Sequence, residues 1–144
     1  MNPLISVVVP TFKRPDKLRR ALKSVLVQSF TDYEVIVVND DEEEIELKIN
    51  DSRIQIIKNQ REKGGNGSRN TGVLNSKGQY VAFLDDDDEW RPDYLQKKLS
   101  ILKRKPINVG MVYGGFSLEK NGKWIEIIQK EDGNLLDSLL TSRF

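Results

Sequence analysis

A run of acidic side chains offers the most conspicuous chemistry in this sequence. Five consecutive acidic residues, numbers 85–89, directly follow four apolar residues. In an extended chain Asp85 and Asp87 would point the same way, roughly 6–7 Å apart. Their repulsion would be about 2–3 kcal/mol at an effective dielectric of ~20. A hard divalent cation, Mg²⁺ or Mn²⁺, would offset it, although a solvated acidic turn facing the N-terminus of the next helix fits the same residues.

The residue types that are missing exclude several kinds of chemistry. The chain has no Cys and no His, so thiolate zinc sites, Cys nucleophiles and His-bearing triads are excluded. General acid and base work would fall to Asp, Glu, Lys or Tyr. The 23 Lys and Arg residues balance 22 Asp and Glu, giving a net charge of +1. Bulk charge therefore does not indicate nucleic acid as a partner.

Short apolar segments predict the elements that must hold the acidic run in place. Strands are expected at residues 5–9, 34–38, 54–57 and 80–84, the first and last of them buried, and the apolar spacing at residues 16–28 predicts an amphipathic helix. Strands alternating with crossover helices are typical of an α/β fold with a mostly parallel sheet and flanking helices. At 144 residues the chain has the size of one domain, residues 1–144.

Further elements are predicted between and after these strands. Asn121-Gly122 is a strong hairpin signal. We expect helices at residues 43–49, 68–75, 93–105 and 135–140, and strands at 109–116 and 124–128.

Polar groups at the ends of four predicted strands should meet at one edge of the sheet, where open α/β sheets bind ligands. These groups are Thr11, Asp40, the segment 63–69 and the acidic run. Arg69 follows a Gly-rich stretch and suits a phosphate, although residues 64–67 are equally typical of a flexible connection. A Walker-type site is excluded because Val73 replaces the required Lys.

Four segments in order, residues 5–12, 33–40, 68–72 and 78–93, resemble the N-terminal part of the family two glycosyltransferases of the GT-A fold. The resemblance covers the chain to about residue 102. It implies transfer of a sugar from a nucleotide diphosphate donor, a UDP-sugar by preference, usually with inversion and with a divalent metal. The acceptor would be a sugar, a lipid-linked molecule or a protein. The location would be the cytoplasm, or the periphery of a membrane at its inner face.

The same resemblance assigns roles to residues at the sheet edge. Pro10, Thr11 and Phe12 match the loop beside the base and ribose of the donor. Asp40 matches a carboxylate that hydrogen-bonds a uracil edge. Arg69 matches the position that supports the donor near its phosphates.

The acidic run matches the Asp-x-Asp motif of the family. In that motif one carboxylate, here Asp87, holds the metal and a neighbour reaches the ribose. We expect Asp87 and Asp85 to bind Mn²⁺ or Mg²⁺, and Asp85 and Asp86 to contact the nucleotide. The metal would offset the charge on the departing diphosphate while a base elsewhere takes the proton of the acceptor hydroxyl.

The sequence also departs from the family pattern. Asn39 stands where Asp is frequent, and acidic residues 41–44 replace a Gly-Ser turn. These acids would repel a diphosphate, so we expect them to face solvent. The acceptor-side half of the family, with its catalytic base, normally begins near where this chain stops. We therefore expect the base beyond Phe144, and a truncated domain that binds donor without transferring sugar.

Other functions share part of this pattern. A non-catalytic module that binds a nucleotide sugar or a metal would carry the same motifs. A nucleotidyltransferase would need a Gly-rich basic loop after the first strand, and residues 11–15 contain no Gly. No segment has the ~20 apolar residues of a membrane span. The predicted helix at 135–140 would leave an apolar face uncovered, which favours a homo-oligomer.

Overall fold

The computed structural model describes residues 2–105, 109–129 and 133. The chain forms two compact units, Met1–Ser100 and Ile101–Phe144. None of the described helices is long and apolar enough to cross a bilayer. The assignment of residues 1–144 to one domain stays a prediction.

Four parallel strands form the sheet of the first unit, in the order β3-β2-β1-β4. Their bounds are Ile5–Thr11 for β1, Tyr33–Asn39 for β2, Ile54–Lys58 for β3 and Tyr80–Phe83 for β4. The register pairs Thr11 with Asn39 and Val8 with Phe83. The carboxyl ends of β1, β2 and β4 therefore lie at one edge, and the predicted α/β fold with a parallel sheet is confirmed.

The helices cover a sheet whose central strands are apolar. Helix α1, Pro15–Leu26, starts with a Pro, which suits the first turn because it needs no backbone donor there. It buries Leu18, Leu22 and Val25 on one face. Helix α2, Gly65–Asn75, begins three residues before the predicted start, and α3 spans Tyr94–Arg104. All seven residues of β1 are buried.

Helix α2 packs directly on β1. A Cβ added at Gly72 would lie 2.3 Å from Cγ1 of Val8, which is closer than two carbon atoms can approach. The absence of a side chain at this position lets the helix backbone rest on the strand.

The predicted charged helix at residues 43–49 is wrong, because residues 44–50 adopt no regular structure. Glu43 and Glu46 would be three residues apart on one helical face, where like charges destabilise a helix. Local bonds also compete with the helix. The Asn39 side chain donates to the Glu43 carbonyl at 2.7 Å, and the Asp41 N–H donates to Asn39 Oδ1 at 3.0 Å.

The second unit contains a two-stranded antiparallel hairpin of β5, Phe116–Lys120, and β6, Lys123–Ile127. Asn121 and Gly122 have φ values of 54° and 72°, as the predicted two-residue turn requires. The predicted strand at 109–116 is wrong, because residues 109–115 are irregular. Adjacent glycines at 114 and 115 weaken a strand and offer no side chains to pack. The helix predicted at 135–140 lies outside the described residues.

Candidate functional site

A cleft of about 280 Å³ opens at the carboxyl edge of the sheet. We call it the edge cleft. It is lined by Pro10, Thr11, Phe12, Arg14, Asp40, Gly64, Gly65, Ser68, Arg69, Asp85, Asp86 and Asp87. All eight residues for which the sequence analysis predicts a role in nucleotide or metal binding are in this set. The shared strand ends bring them together from positions up to 77 apart in the chain.

The acidic run forms a turn after β4, which corrects the expected extended geometry. The last ladder contact is the Leu84 N–H donating to the Val8 carbonyl at 3.1 Å. The Asp88 N–H then donates to the Asp85 carbonyl at 3.1 Å and closes the turn. We call residues 85–88 the acidic turn. Partial burial, and then the charges of Asp85 and Asp87, raise the pKa of Asp88 above its usual range.

Asp86 is the buried member of the acidic turn, with only 1% of its surface exposed. Its Oδ2 accepts a hydrogen bond of 2.7 Å from Thr11 Oγ1. Its Oδ1 lies 2.8 Å from Arg14 Nη2, an ion pair whose angles are not those of a hydrogen bond. Both contacts tie the turn to residues at the end of β1 and the start of α1. Its predicted contact with a nucleotide stays a prediction.

The two carboxylates predicted to hold a metal are both exposed. The Asp85 side chain is 48% exposed and that of Asp87 is 40% exposed. Among the residues that the structure describes, no three His, Cys, Asp or Glu side chains converge as a metal-ligand group. Two exposed carboxylates still suit Mg²⁺ or Mn²⁺, because such ions are often held by one or two carboxylates together with substrate phosphates. The donor set therefore fits a metal that arrives with a phosphate ligand.

Cationic side chains of the protein itself neutralise the acidic turn. Arg69 Nη2 pairs with Asp85 Oδ1 at 2.5 Å. Arg14 Nη1 donates to Asp87 Oδ2 at 2.8 Å, and Lys17 Nζ lies 3.5 Å from the same oxygen. The positive charge that the sequence analysis requires near the acidic run is thus supplied by Arg14, which precedes α1, by Lys17 in α1 and by Arg69 in α2.

Asp40 connects the end of β2 to the start of α2. Its Oδ1 accepts from Asn59 Nδ2 at 2.6 Å, and its Oδ2 accepts from the Gly64 N–H at 2.7 Å. Its own N–H donates to the Thr11 carbonyl at 3.0 Å. Each carboxylate oxygen keeps a second lone pair for a ligand.

The acidic residues that follow Asp40 do not line the edge cleft. Glu42 is exposed and pairs with Lys58 at 2.6 Å. Asp41, Glu43 and Glu44 line a second cleft of about 470 Å³ beside the start of α1. Glu42, Glu43 and Glu44 are exposed, as the sequence analysis expects. The expectation is wrong for Asp41, whose side chain is only 13% exposed and lies 3.8 Å from Nζ of Lys13.

At the start of α2 the backbone packs closely against the preceding loop, and one side-chain hydroxyl is buried. Gly64 has a φ of 117°, and a Cβ at Gly67 would lie 1.9 Å from the Glu62 carbonyl oxygen, so both positions need Gly. Ser68 is 1% exposed, and its Oγ has no hydrogen-bond partner among the described residues. Free N–H groups at a helix N-terminus attract anions, and an unpaired hydroxyl beside them adds a donor.

Arg14 is a site residue that the sequence analysis missed. Its position could have indicated its role, because the residue before the Pro that starts α1 must lie at the same edge as the end of β1. Ser68 falls within the predicted segments 63–69 and 68–72, but the sequence assigns it no role of its own, since its interest depends on its burial and on the lack of a partner among the described residues.

Comparisons with known proteins find a family match and several relatives. Residues 6–141 match the family described as Glycosyl transferase family 2. The chain is 40% identical over 129 residues to a Campylobacter jejuni GalNAc(5)-diNAcBac-PP-undecaprenol beta-1,3-glucosyltransferase, covering 83% of this chain and 40% of the relative. It is 30% identical over 122 residues to the Escherichia coli UDP-Glc:alpha-D-GlcNAc-diphosphoundecaprenol beta-1,3-glucosyltransferase WfgD, covering 82% and 47%.

A solved structure shows the same fold. The crystal structure of S. aureus TarS 1-349 superposes with a TM-score of 0.61 at 25% identity, covering 78% of this chain and 38% of that one. The chain thus spans less than half the length of each protein compared here.

Proposed function

The chain belongs to glycosyl transferase family 2, and on that premise we propose that its edge cleft binds the nucleotide diphosphate of a sugar donor, UDP in the first instance. We further propose that the protein transfers the donor's sugar to an acceptor hydroxyl with inversion. One observation carries the proposal. All eight residues that the family pattern assigns to nucleotide and metal line a single cleft at the carboxyl edge of the sheet.

The base and ribose would lie at the end of β1 and β2. Pro10, Thr11 and Phe12 line this part of the edge cleft, and the Phe12 ring is 48% exposed, so it can cover a nucleobase. Asp40 is held by two bonds from the protein and keeps lone pairs that can accept the N–H of a uracil ring. The printed name of the Escherichia coli relative, which begins with UDP-Glc, supports UDP as the first choice.

The diphosphate would lie between α2 and the acidic turn. Arg69, Ser68 and the first turn of α2 supply donors from one side. The carboxylates of Asp87 and Asp85 would hold a divalent cation, Mg²⁺ or Mn²⁺, whose remaining ligands would come from the diphosphate and water. When bound, such a cation supplies Lewis-acid stabilisation of the charge that develops on the departing diphosphate.

The acceptor is proposed to be a lipid-linked sugar at the inner face of a membrane. Both relatives named above act, as their names state, on sugars linked through a diphosphate to undecaprenol. A protein that uses such a substrate must work where the lipid carries its headgroup, so peripheral attachment to the membrane is part of this proposal.

A donor-binding titration and a transfer assay test the proposal separately. Calorimetry is performed with UDP, GDP and ADP, each in Mn²⁺ and in EDTA. UDP should bind most tightly of the three nucleotides in Mn²⁺, and its binding should be weak in EDTA. Transfer is then measured from UDP-glucose to an undecaprenyl diphosphate-linked sugar. Binding without transfer would favour a non-catalytic donor-binding module, and the absence of nucleotide binding would overturn the proposal.

A further inference from the structure

One arginine contacts two members of the acidic turn at once. Arg14 lies 2.8 Å from Oδ1 of Asp86 through Nη2 and 2.8 Å from Oδ2 of Asp87 through Nη1. Its side chain is 45% exposed, whereas that of Asp86 is 1% exposed. The two amino groups of one guanidinium therefore serve one buried and one exposed carboxylate.

The two contacts differ in how easily they can be given up. Breaking the pair with Asp86 would leave a buried charge without its cation, which is strongly unfavourable. The pair with Asp87 is solvent-accessible, and exposed ion pairs contribute little. Lys17, at 3.5 Å from Asp87 and 51% exposed, is held still more loosely. Asp87 can thus exchange its partners while Arg14 remains on Asp86.

The charges of this cluster nearly balance in the absence of ligand. Asp85, Asp86, Asp87 and Asp88 carry four negative charges, and Arg69, Arg14 and Lys17 carry three positive ones. A divalent cation approaching Asp87 would meet a cluster with one net negative charge and with cationic groups already at the oxygen atoms. A diphosphate that arrives with the cation would give those cationic groups another anion to pair with.

We propose that Arg14 is a positioning residue that acts as an internal counter-ion. It holds Asp86 permanently and competes with the divalent cation for Asp87, so that the cation binds tightly only together with the nucleotide diphosphate. Once Nη1 is released from Asp87, this amino group turns towards the diphosphate. This inference rests on the proposed function, because it assigns a role to Arg14 within the same site.

The competition predicts a gain of metal affinity when Arg14 is removed, which a merely structural role would not produce. Mn²⁺ binding to the nucleotide-free protein is measured by electron paramagnetic resonance of the free ion. Arg14→Ala should tighten Mn²⁺ binding about tenfold. At a water-like dielectric, a unit positive charge ~6 Å from a divalent ion weakens the binding of that ion by about this factor. Arg14→Lys keeps a cation for Asp86 but cannot bridge two carboxylates, so it should give a smaller gain in the same direction.

A matched control removes a positive charge from the helix that follows Arg14. Arg20 is on α1 and pairs at 3.0 Å with Glu89, outside the edge cleft. Arg20→Ala should leave Mn²⁺ binding unchanged. If Arg14→Ala does not fold, as judged by thermal unfolding, Arg14→Lys alone decides the result. Unchanged or weaker Mn²⁺ binding in a folded Arg14 variant would overturn the proposal.

The coupling between metal and nucleotide separates this inference from the proposed function. By linkage, UDP and Mn²⁺ must raise each other's affinity by the same factor. That factor should be large in the wild type and about tenfold smaller in Arg14→Ala. If UDP binds with Mn²⁺ and the factor is equal in both proteins, Arg14 is not a counter-ion but the function stands. If Arg14→Ala gains Mn²⁺ affinity and no protein binds UDP, the counter-ion role stands and the function fails.

Discussion

The Thr11 hydroxyl donates a hydrogen bond of 2.7 Å to Oδ2 of Asp86, and both groups are buried. Thr11 is the last residue of β1, and Asp86 belongs to the acidic turn that follows the neighbouring strand β4. This single bond therefore connects the loop proposed to hold the base and ribose to the turn proposed to hold the metal. A substitution that displaces either segment should therefore also displace the other.

Thr11→Val should destabilise the protein, because it keeps the shape of the side chain but leaves a buried carboxylate oxygen without its donor. We expect the free energy of unfolding to fall by about 1.5–3 kcal/mol, the range for a hydrogen bond to a charged group. Thr11→Ser keeps the hydroxyl and should lose less. Urea unfolding of the three proteins measures the difference. Equal stability of Thr11→Val and wild type would show that this bond does not stabilise the fold.

Asp87→Asn should remove most of the dependence of UDP binding on Mn²⁺, since the amide keeps the size of the side chain but loses its charge. Asp85→Asn should affect the metal less and the ribose more. Calorimetry with UDP and with its 2′,3′-dideoxy analogue, in Mn²⁺ and in EDTA, separates these effects. The control is Glu89→Gln, which removes an acid outside the edge cleft. A full metal dependence in Asp87→Asn would move the metal to other ligands.

Arg69→Ala should weaken the binding of UDP much more than that of uridine, because the guanidinium is proposed to face the phosphates. A charge-assisted contact of this kind is worth about 1.5–3 kcal/mol. Arg61→Ala is the matched control, since Arg61 does not line the edge cleft. Equal losses for UDP and uridine would instead make Arg69 a residue that only supports Asp85 and the turn.

Ser68→Ala should separate ligand binding from folding. The hydroxyl is buried and has no partner in the part of the chain that the structure describes, so its removal should leave the free energy of unfolding unchanged or raise it. UDP affinity should nevertheless fall by about 0.5–1.5 kcal/mol if the hydroxyl donates to the bound donor. Parallel urea unfolding and calorimetry test both parts. A loss of stability without a loss of affinity would show that Ser68 serves packing.

Acid should weaken an ion pair at the opposite edge of the sheet. Arg53 binds Asp51 through two donors, at 3.0 and 2.8 Å, and these bonds lower the pKa of Asp51 from 3.8 to about 2. The folded protein thus releases this proton at lower pH than the unfolded chain. The stabilisation is complete above about pH 4 and is lost as the pH falls towards about 2.

Asp51→Asn should therefore lower the free energy of unfolding at neutral pH by about 1–2 kcal/mol, which allows for solvent screening. The difference in the free energy of unfolding between the variant and the wild type should vanish as the pH falls to about 2. Asp16→Asn removes an acid whose side chain is 90% exposed and should change little at any pH. Urea unfolding across the pH range decides, and a constant difference at all pH values would contradict the ion-pair explanation.

The sequence was most informative where a single physical rule dominates. Continuous apolar runs at β1 and β2 predict buried parallel strands, and the topology then places Thr11, Asp40 and the acidic run at one edge without any knowledge of contacts. The geometry within the site depends on distances that periodicity does not encode. The ion pairs of Arg14 are the clearest example.

Two elements were mispredicted because local chemistry outweighed apolar spacing. Residues 43–49 have apolar side chains at positions suitable for a helix. Repulsion between the acidic side chains and the hydrogen bonds of Asn39 nevertheless disfavour the helical conformation. Residues 109–113 are apolar enough for a strand, but the following Gly114 and Gly115 delay the regular structure until Phe116.

The contact between Gly72 and Val8 has a consequence for the interpretation of natural variants. Gly72 lies about one helical turn, roughly 6 Å, beyond Ser68 along α2, and any side chain there would push the helix away from β1. Ser68 and Arg69 would move with it, although residue 72 does not line the edge cleft. A substitution such as Gly72→Ala would consequently resemble a binding-site mutation in a nucleotide assay, although the substituted residue itself does not touch the ligand. Such a variant is recognised by restored donor binding when Val8 is reduced to Ala in the same chain.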